Sequence, residues 1–241
     1  GDGEPTLHPE FSGRMDMFGH LIRSWDASDI PAPEVSIVSN GLRLLEPGVL
    51  DAVVRNQITL IVSFPTPDPE AYGTVMTGDA ARGAGMLARV VPGIEKAFQL
   101  LASGQLRRLQ FHISPPDRDV VRRDFARTVD FLTVRARSAG VARVELVLFP
   151  ATSNRSGLIR NRIKGCDMYK DFFRRYNGRV FNGVRVEMKL SYKRFFPKFS
   201  EFVDLLVNFR HPCTWNSQLF ITANGYSTCC NDQAIRNPMG D

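Results

Sequence analysis

Short apolar, β-branched runs alternate along the chain with longer segments in which apolar positions recur every three to four residues. That is the pattern of a parallel sheet assembled from strand–helix units. The runs Val35–Ser39, Ile58–Phe64, Leu109–Ser114 and Val144–Phe149 predict strands. Between them, Pro9–Ser24, Pro47–Arg55, Ala88–Ala102 and Asp119–Ala139 predict helices. Gly104 and Gly140 follow the last two and suit left-handed caps at the helix ends. Arg122, Arg123, Arg127, Arg135 and Arg137 are expected to form the solvated face of the last helix. Each strand is followed by small or polar residues: Asn40-Gly41, Pro65-Thr66-Pro67 and Pro150-Ala151-Thr152-Ser153-Asn154. In parallel α/β architectures the functional site sits at those carboxyl-terminal strand ends. The predicted fold is therefore α/β: a partial (β/α)6 TIM-like barrel lacking its first strand, followed by a small α+β extension with a β-hairpin.

After Gly157 the period breaks. Asp167–Tyr176 reads as a short amphipathic helix, Val184–Ser191 alternates as a strand, and Lys198–Asn208 returns to helical spacing. Ser217–Cys230 reads as a hairpin in which Asn224-Gly225 supplies the positive-φ pair of a type I′ turn, pairing Leu219 with Cys230. Three regions result: a barrel portion over 1–157, a basic bridge over 158–209, and a further small domain opening at 210–241.

Charge sharpens that division. The chain has 241 residues and a formal charge of +6, yet Arg155–Lys198 holds thirteen Lys/Arg against three Asp/Glu, so the remainder is slightly acidic. No apolar stretch approaches the ~20 residues of a membrane span. The sequence opens Gly-Asp-Gly-Glu-Pro, with no Met, basic n-region or apolar h-region, and is expected to begin inside a longer protein. The four cysteines, Cys166, Cys213, Cys229 and Cys230, are too few and too unevenly placed for a secreted disulfide framework. Reduced thiols and a cytoplasmic location are expected.

The motifs, taken in order, carry a resemblance. Gly1-Asp2-Gly3-Glu4-Pro5 followed by Leu7-His8-Pro9-Glu10-Phe11, then Val38-Ser39-Asn40-Gly41, then Ile61-Val62-Ser63-Phe64 with Asp68-Pro69-Glu70-Ala71-Tyr72, then Asn154-Arg155-Ser156-Gly157, resemble successive strand exits of radical S-adenosylmethionine (SAM) enzymes. Asp2 stands where that family usually has a Gly, and Phe64-Pro65 replaces a usual Leu-Asp, which removes any acidic role there. Cys213-Thr214-Trp215, Leu219 to Gly225 and Cys229-Cys230 resemble the opening of a SPASM or Twitch auxiliary iron–sulfur domain, which runs Cys, spacer, Gly, four residues, Cys. Here the spacer is eleven residues and Cys230 follows Gly225 at the matching distance.

What the resemblance implies is specific. SAM would be held by Asp2, Gly3, Glu4, Pro5, Ser39, Asn40, Ser63, Asn154 and Arg155. Glycines would let backbone oxygens approach the ammonium of SAM, and Glu4 would add charge-assisted bonding. An auxiliary 4Fe-4S cluster would take Cys213 and Cys230, and Cys229 only if its strand bulges, because adjacent strand residues point to opposite faces. The alternative for the Cys213–Cys230 pair is a disulfide. The CxxxCxxC that holds the family's catalytic cluster is absent, and no cysteine precedes Cys166. The parent protein would thus cleave SAM reductively and abstract hydrogen from a peptide or small-molecule substrate, with ferredoxin or flavodoxin as electron donor, while this chain alone would be inactive.

Two rival readings stand beside it. A non-catalytic module could keep a SAM-like or peptide pocket. Alternatively, the basic segment, which interleaves Lys/Arg with Tyr169, Phe172, Phe173, Tyr176, Phe181, Tyr192, Phe195 and Phe196, has a composition that could bind RNA. An amphipathic element with core aromatics and a solvated basic face explains the same pattern, and nucleic acid is not the expected partner. His112 either points toward the cofactor or is a buried structural histidine. His8, His20 and His211 form no metal-ligand spacing with one another.

Overall fold

The structure, a computed structural model, describes residues 4–25, 34–113, 118–148, 171–190, 220–221 and 227–228, with backbone alone at 118–122, 190 and the last four. After a 3-10 turn at Pro5–Leu7 come α1 (Phe11–Arg23), β1 (Ser36–Ser39), α2 (Val49–Arg55), β2 (Thr59–Ser63), α3 (Pro69–Thr77), α4 (Gly83–Ala102), β3 (Leu109–Ile113), α5 (Arg118–Ser138) and β4 (Arg143–Leu148). A helical stretch at 171–176, β5 (Val180–Phe181) and β6 (Val184–Leu190) follow, and β7 (Phe220–Ile221) pairs with β8 (Ser227–Thr228).

Six strands form one mixed sheet in the order β1-β2-β3-β4-β6-β5. The pairs β1–β2, β2–β3, β3–β4 and β4–β6 are parallel, and only the short β5 runs against its neighbour. Each parallel strand lies beside its predecessor, without the reversal of order that marks a doubly wound sheet. The α/β class is as the hydrophobic pattern predicts.

Register sorts the strand side chains onto two faces. Ile37, Leu60, Val62, Leu109, Phe111, Ile113, Val144, Leu146, Leu148, Val184, Val186 and Met188 share one parity. They join Val53, Val90, Ile94, Phe98, Phe125, Val129 and Leu132 of the helices in a single core. The opposite parity carries Ser36, Thr59, Ser63, Gln110, His112, Arg143, Glu145, Arg185, Glu187 and Lys189, with Val38, Ile61 and Val147 as its apolar members. One face of the sheet is therefore buried under helices and the other is polar.

Helix ends follow the capping chemistry. Gly104 and Gly140 have φ of +73° and +81°, and the Val141 amide donates to Ala136 O, closing a Schellman turn after α5. Helix α3, which the strand pattern leaves as loop, carries its own signals: Asp68 accepts from the Ala71 amide at 3.0 Å, Pro69 opens the helix and Gly78 closes it. Helix α4 begins five residues before the predicted Ala88 despite Gly83, Gly85 and an internal Pro92. Packing explains the first of these, because a Cβ on Gly83 would overlap the Pro69 carbonyl oxygen of α3.

Among the described residues of 158–209, β6 extends the main sheet and Phe172, 5% exposed, lies in the main core. The type I′ turn there is Asn182-Gly183, with φ of 52° and 79°, aligning Phe181 with Val184. A predicted hairpin does form between β7 and β8, but in another register. Ile221 faces Ser227, whereas a two-residue Asn224-Gly225 turn would set it against Thr228. At the flank of β6, the Gly178 amide donates to Val186 O at 2.8 Å, the Val186 amide to Arg179 O at 2.8 Å, and the Met188 amide to Asn177 Oδ1 at 2.8 Å. Backbone and side chain thus cover that edge.

Candidate functional site

At the carboxyl end of β1 the chain meets its own beginning. Both oxygens of Glu4 are engaged: Oε1 accepts from Thr6 Oγ1 at 2.6 Å, from the Thr6 amide at 3.3 Å and from Ser39 Oγ at 2.7 Å, while Oε2 accepts from the Asn40 amide at 2.7 Å. A carboxylate has about four acceptor positions, so this one is saturated. Ser39 Oγ also accepts from the Gly41 amide at 3.0 Å, and Asn40 Oδ1 from the Leu42 amide at 3.0 Å, which tightens the exit loop around the clamp. Arg43, itself paired with Glu46, donates to Thr6 O at 2.8 Å. Gly41 lies against Val62 and Val90 with φ of +81°, a conformation and a closeness that suit glycine.

The structure brings Glu4 together with Ser39 and Asn40, and Pro5 opens the turn that follows Glu4. The Glu4 carboxylate pins the amino-terminal stretch to the exit of β1. Ser63 ends the neighbouring strand on the polar face, in register with His112. Asp2, Gly3, Asn154, Arg155 and the cysteines Cys166, Cys213, Cys229 and Cys230 lie outside the described residues. Among the described residues no group of three or more His, Cys, Asp or Glu could hold a metal ion. No described helix is long and apolar enough to cross a membrane.

Other residues enter the site that the sequence pattern did not single out as site residues. The exit of β2 is fixed from α5: Thr66 Oγ1 donates to the fully buried Asp124 at 3.2 Å, Thr128 Oγ1 to Pro65 O at 3.4 Å, and the Asp68 amide to Thr66 Oγ1 at 3.0 Å. The Arg123 guanidinium, at 2.9 Å, holds the Asp124 carboxyl below the ordinary range despite burial. Tyr72 of α3 is fully buried against Phe64, and its hydroxyl has no hydrogen-bond partner among the described residues. Burial, reinforced by the Glu4 charge, pushes its pKa up, so it stays a neutral phenol.

The polar face has its own organisation. Glu145 accepts from Arg108 Nε and Nη2 at 2.9 and 2.5 Å and from Gln110 Nε2 at 2.9 Å, with Arg143 at 3.4 Å and Lys189 at 3.9 Å. Burial alone would raise its pKa, but the Arg108 and Gln110 bonds outweigh it and hold the carboxyl below the ordinary range. Glu34 adds a 3.1 Å contact to Arg108 and accepts from Thr59 at 3.1 Å. His112 sits one row nearer the carboxyl ends, and burial pushes its imidazole down to about 4, leaving it neutral near pH 7. A charged residue embedded in the apolar run Val144-Glu145-Leu146 was the available signal for this network.

The described aromatics of the basic segment face inward. Phe125 and Phe172 stack with centroids 4.4 Å apart, Tyr176 meets Phe125 edge-on at 4.9 Å, and Phe173 and Phe181 pack against the same core. Their rings are occupied by packing rather than presented for base stacking. On α5, Arg135 is likewise withdrawn from the expected solvated face: its guanidinium lies 3.4 Å over the Phe131 ring and pairs with Glu95 at 3.2 Å.

Comparison with protein-family models, with curated proteins and with solved structures finds no match for this chain.

Proposed function

We propose that this chain is the middle portion of a radical SAM enzyme, its sheet forming part of the wall of a (β/α) barrel, with the cofactor at the carboxyl ends of β1 and β2. The carrying observation is the Glu4 clamp, which joins two segments 35 residues apart at a strand end through hydrogen bonds from the Ser39 hydroxyl and the Asn40 amide, with Thr6 closing the carboxylate from its own side. Consecutive parallel order and a polar second face accord with a barrel wall whose interior is lined for a polar ligand.

In this reading Glu4 does not touch the cofactor. It ties the chain at Glu4–Thr6 to the exit of β1, beside which Gly3 would offer its carbonyl oxygen to an ammonium group, while Ser63 would present a hydroxyl from the next strand. SAM bound there, with a reduced 4Fe-4S cluster of the parent protein, would supply the chemistry for hydrogen abstraction. Cys213 and Cys230 remain the proposed auxiliary-cluster ligands.

Two observations test the proposal together. The parent gene should encode CxxxCxxC within roughly one strand and loop upstream of Gly1. Equilibrium dialysis of this chain should show SAM binding that Ser63→Ala weakens and Glu4→Gln weakens more, because the latter replaces an ion with a weaker acceptor. A parent without the cysteine motif, combined with no SAM binding, would sink it.

A further inference from the structure

The turn that joins β5 to β6 is tied to α5 through one residue. Asn182 Nδ2 donates to Asp130 Oδ1 at 2.8 Å and to Thr133 Oγ1 at 3.0 Å, and the Asn182 carbonyl accepts from Arg137 at 3.4 Å. Asp130, Thr133 and Arg137 sit on successive turns of α5, so the tip of the hairpin rests along that helix. The tie needs an amide. A carboxylate at 182 would have no donor for Asp130 and would set two like charges at the same contact.

A glycine follows Asn182, and an Asn-Gly pair carries its own chemistry: the glycine nitrogen, unhindered by a side chain, can attack the Asn side-chain carbonyl carbon. Three such pairs lie among the described residues, Asn40-Gly41, Asn177-Gly178 and Asn182-Gly183, and the fold treats the attacking nitrogen differently in each. The Gly41 amide is buried and donates to Ser39 Oγ at 3.0 Å, with Asn40 Oδ1 held by the Leu42 amide. The Gly178 amide donates to Val186 O at 2.8 Å, with Asn177 Oδ1 held by the Met188 amide. Gly183 stands at the exposed tip of its turn, and its amide has no partner among the described residues. The contacts of the Asn182 side chain are made through Nδ2, which leaves Oδ1 and the carbon beside it without a donor among those residues. Only here are nucleophile and target both open to water.

We propose that Asn182 is a site of spontaneous deamidation whose conversion loosens the β5–β6 hairpin from α5. The Gly183 nitrogen bonds to Asn182 Cγ, the Cγ–Nδ2 bond breaks, and ammonia leaves with the proton that Gly183 gives up. Water then opens the cyclic imide on one side or the other, to aspartate or isoaspartate. Aspartate keeps the turn, because Asp-Gly suits a type I′ pair, but its carboxylate faces Asp130. Isoaspartate carries an extra backbone carbon and breaks the turn as well. The inference stands whether or not the chain belongs to a SAM enzyme.

The test ages the full chain in warm, mildly alkaline buffer and follows each Asn-Gly peptide by mass spectrometry. Asn182 should convert roughly tenfold faster than Asn40 or Asn177, since each of those must first break a backbone hydrogen bond by local opening. In urea the three rates should converge. Asn182→Asp should lower the urea midpoint of the chain, and adding Asp130→Asn should restore most of the loss. Should Asn182→Asp not fold, hydrogen exchange at the Phe181 and Val184 amides of the aged wild type gives the same answer, since both should exchange faster than in fresh protein. Folded-state conversion of Asn40 or Asn177 as fast as that of Asn182 would overturn the site. An unmoved midpoint in Asn182→Asp, a loss that Asp130→Asn does not relieve, or unchanged exchange after ageing would overturn its effect on the hairpin.

Discussion

The two faces of the sheet are made by the same strands from alternate residues, yet they solve opposite problems. On the helix face, Phe111, Val62 and Val186 are fully buried among apolar neighbours. On the other, Gln110 and Glu145 are buried only because each has a partner, and Val38 is 45% exposed. Burial of apolar area stabilises the first face, and completeness of hydrogen bonding stabilises the second.

The contrast can be broken most strongly at Phe111, where Phe111→Ala should cost about 3–5 kcal/mol by transfer and cavity terms, measured by urea unfolding. A cost under about 1 kcal/mol would mean that the helix face is loosely packed.

The second effect belongs to the polar face and depends on pH. Burial holds His112 at about 4, against an unfolded value near 6.5. Between those values the unfolded chain binds a proton that the folded chain refuses. Stability is therefore full above pH 6.5 and falls as pH drops through the window, by at most about 3 kcal/mol. His112→Asn should flatten that stretch of the stability–pH curve, and a parallel curve would show the imidazole to be solvated.

Glu145→Gln should cost roughly 1–2 kcal/mol at pH 7, because Arg108 loses its strongest acceptor. The Glu145 carboxyl is held low in the folded state, so its contribution is present above the unfolded value of about 4.5 and disappears in acid. The variant and wild type should converge there in thermal melts. The cleanest contrast pairs one substitution on each face. Val62→Thr buries an extra hydroxyl and should cost about 1–3 kcal/mol, whereas Val38→Thr should lie within about 0.5 kcal/mol. Equal effects would erase the distinction between the faces.

The helix face was the legible one. Periodicity located β1 to β4, α1, α2 and α5 to within a residue or two, because apolar spacing is what a buried face imposes on a sequence. Helix α3 was missed although Asp68-Pro69 and Gly78 signalled it, since a resemblance to a strand exit drew the segment toward loop. The start of α4 was missed for a different reason: Gly83 is required by the closeness of Pro69, a contact that no local pattern carries. Asn182-Gly183 and Asn224-Gly225 look alike in sequence, and only the first makes the two-residue turn among the described residues.

The motifs point to Glu4, Ser39 and Asn40, but not to what they do to one another, because the Ser39 hydroxyl and the Asn40 amide reach the Glu4 carboxylate only in a fold that returns residue 4 to residue 39. The Glu145 network had no motif at all. Its partners come from three strands and meet only through register.

The edges of the sheet differ in one more respect. At β6 the outer flank is closed by β5, by the Arg179 and Gly178 backbone and by the Asn177 side chain. At β1 no strand lies beyond Ser36–Ser39 among the described residues, and Val38 is open to solvent there. A parallel strand with a bare rim is a template for further pairing. In a barrel wall that rim is where a further parallel strand would pair, so the open side of β1 and the closed side of β6 give the sheet one edge that can be extended and one that is finished.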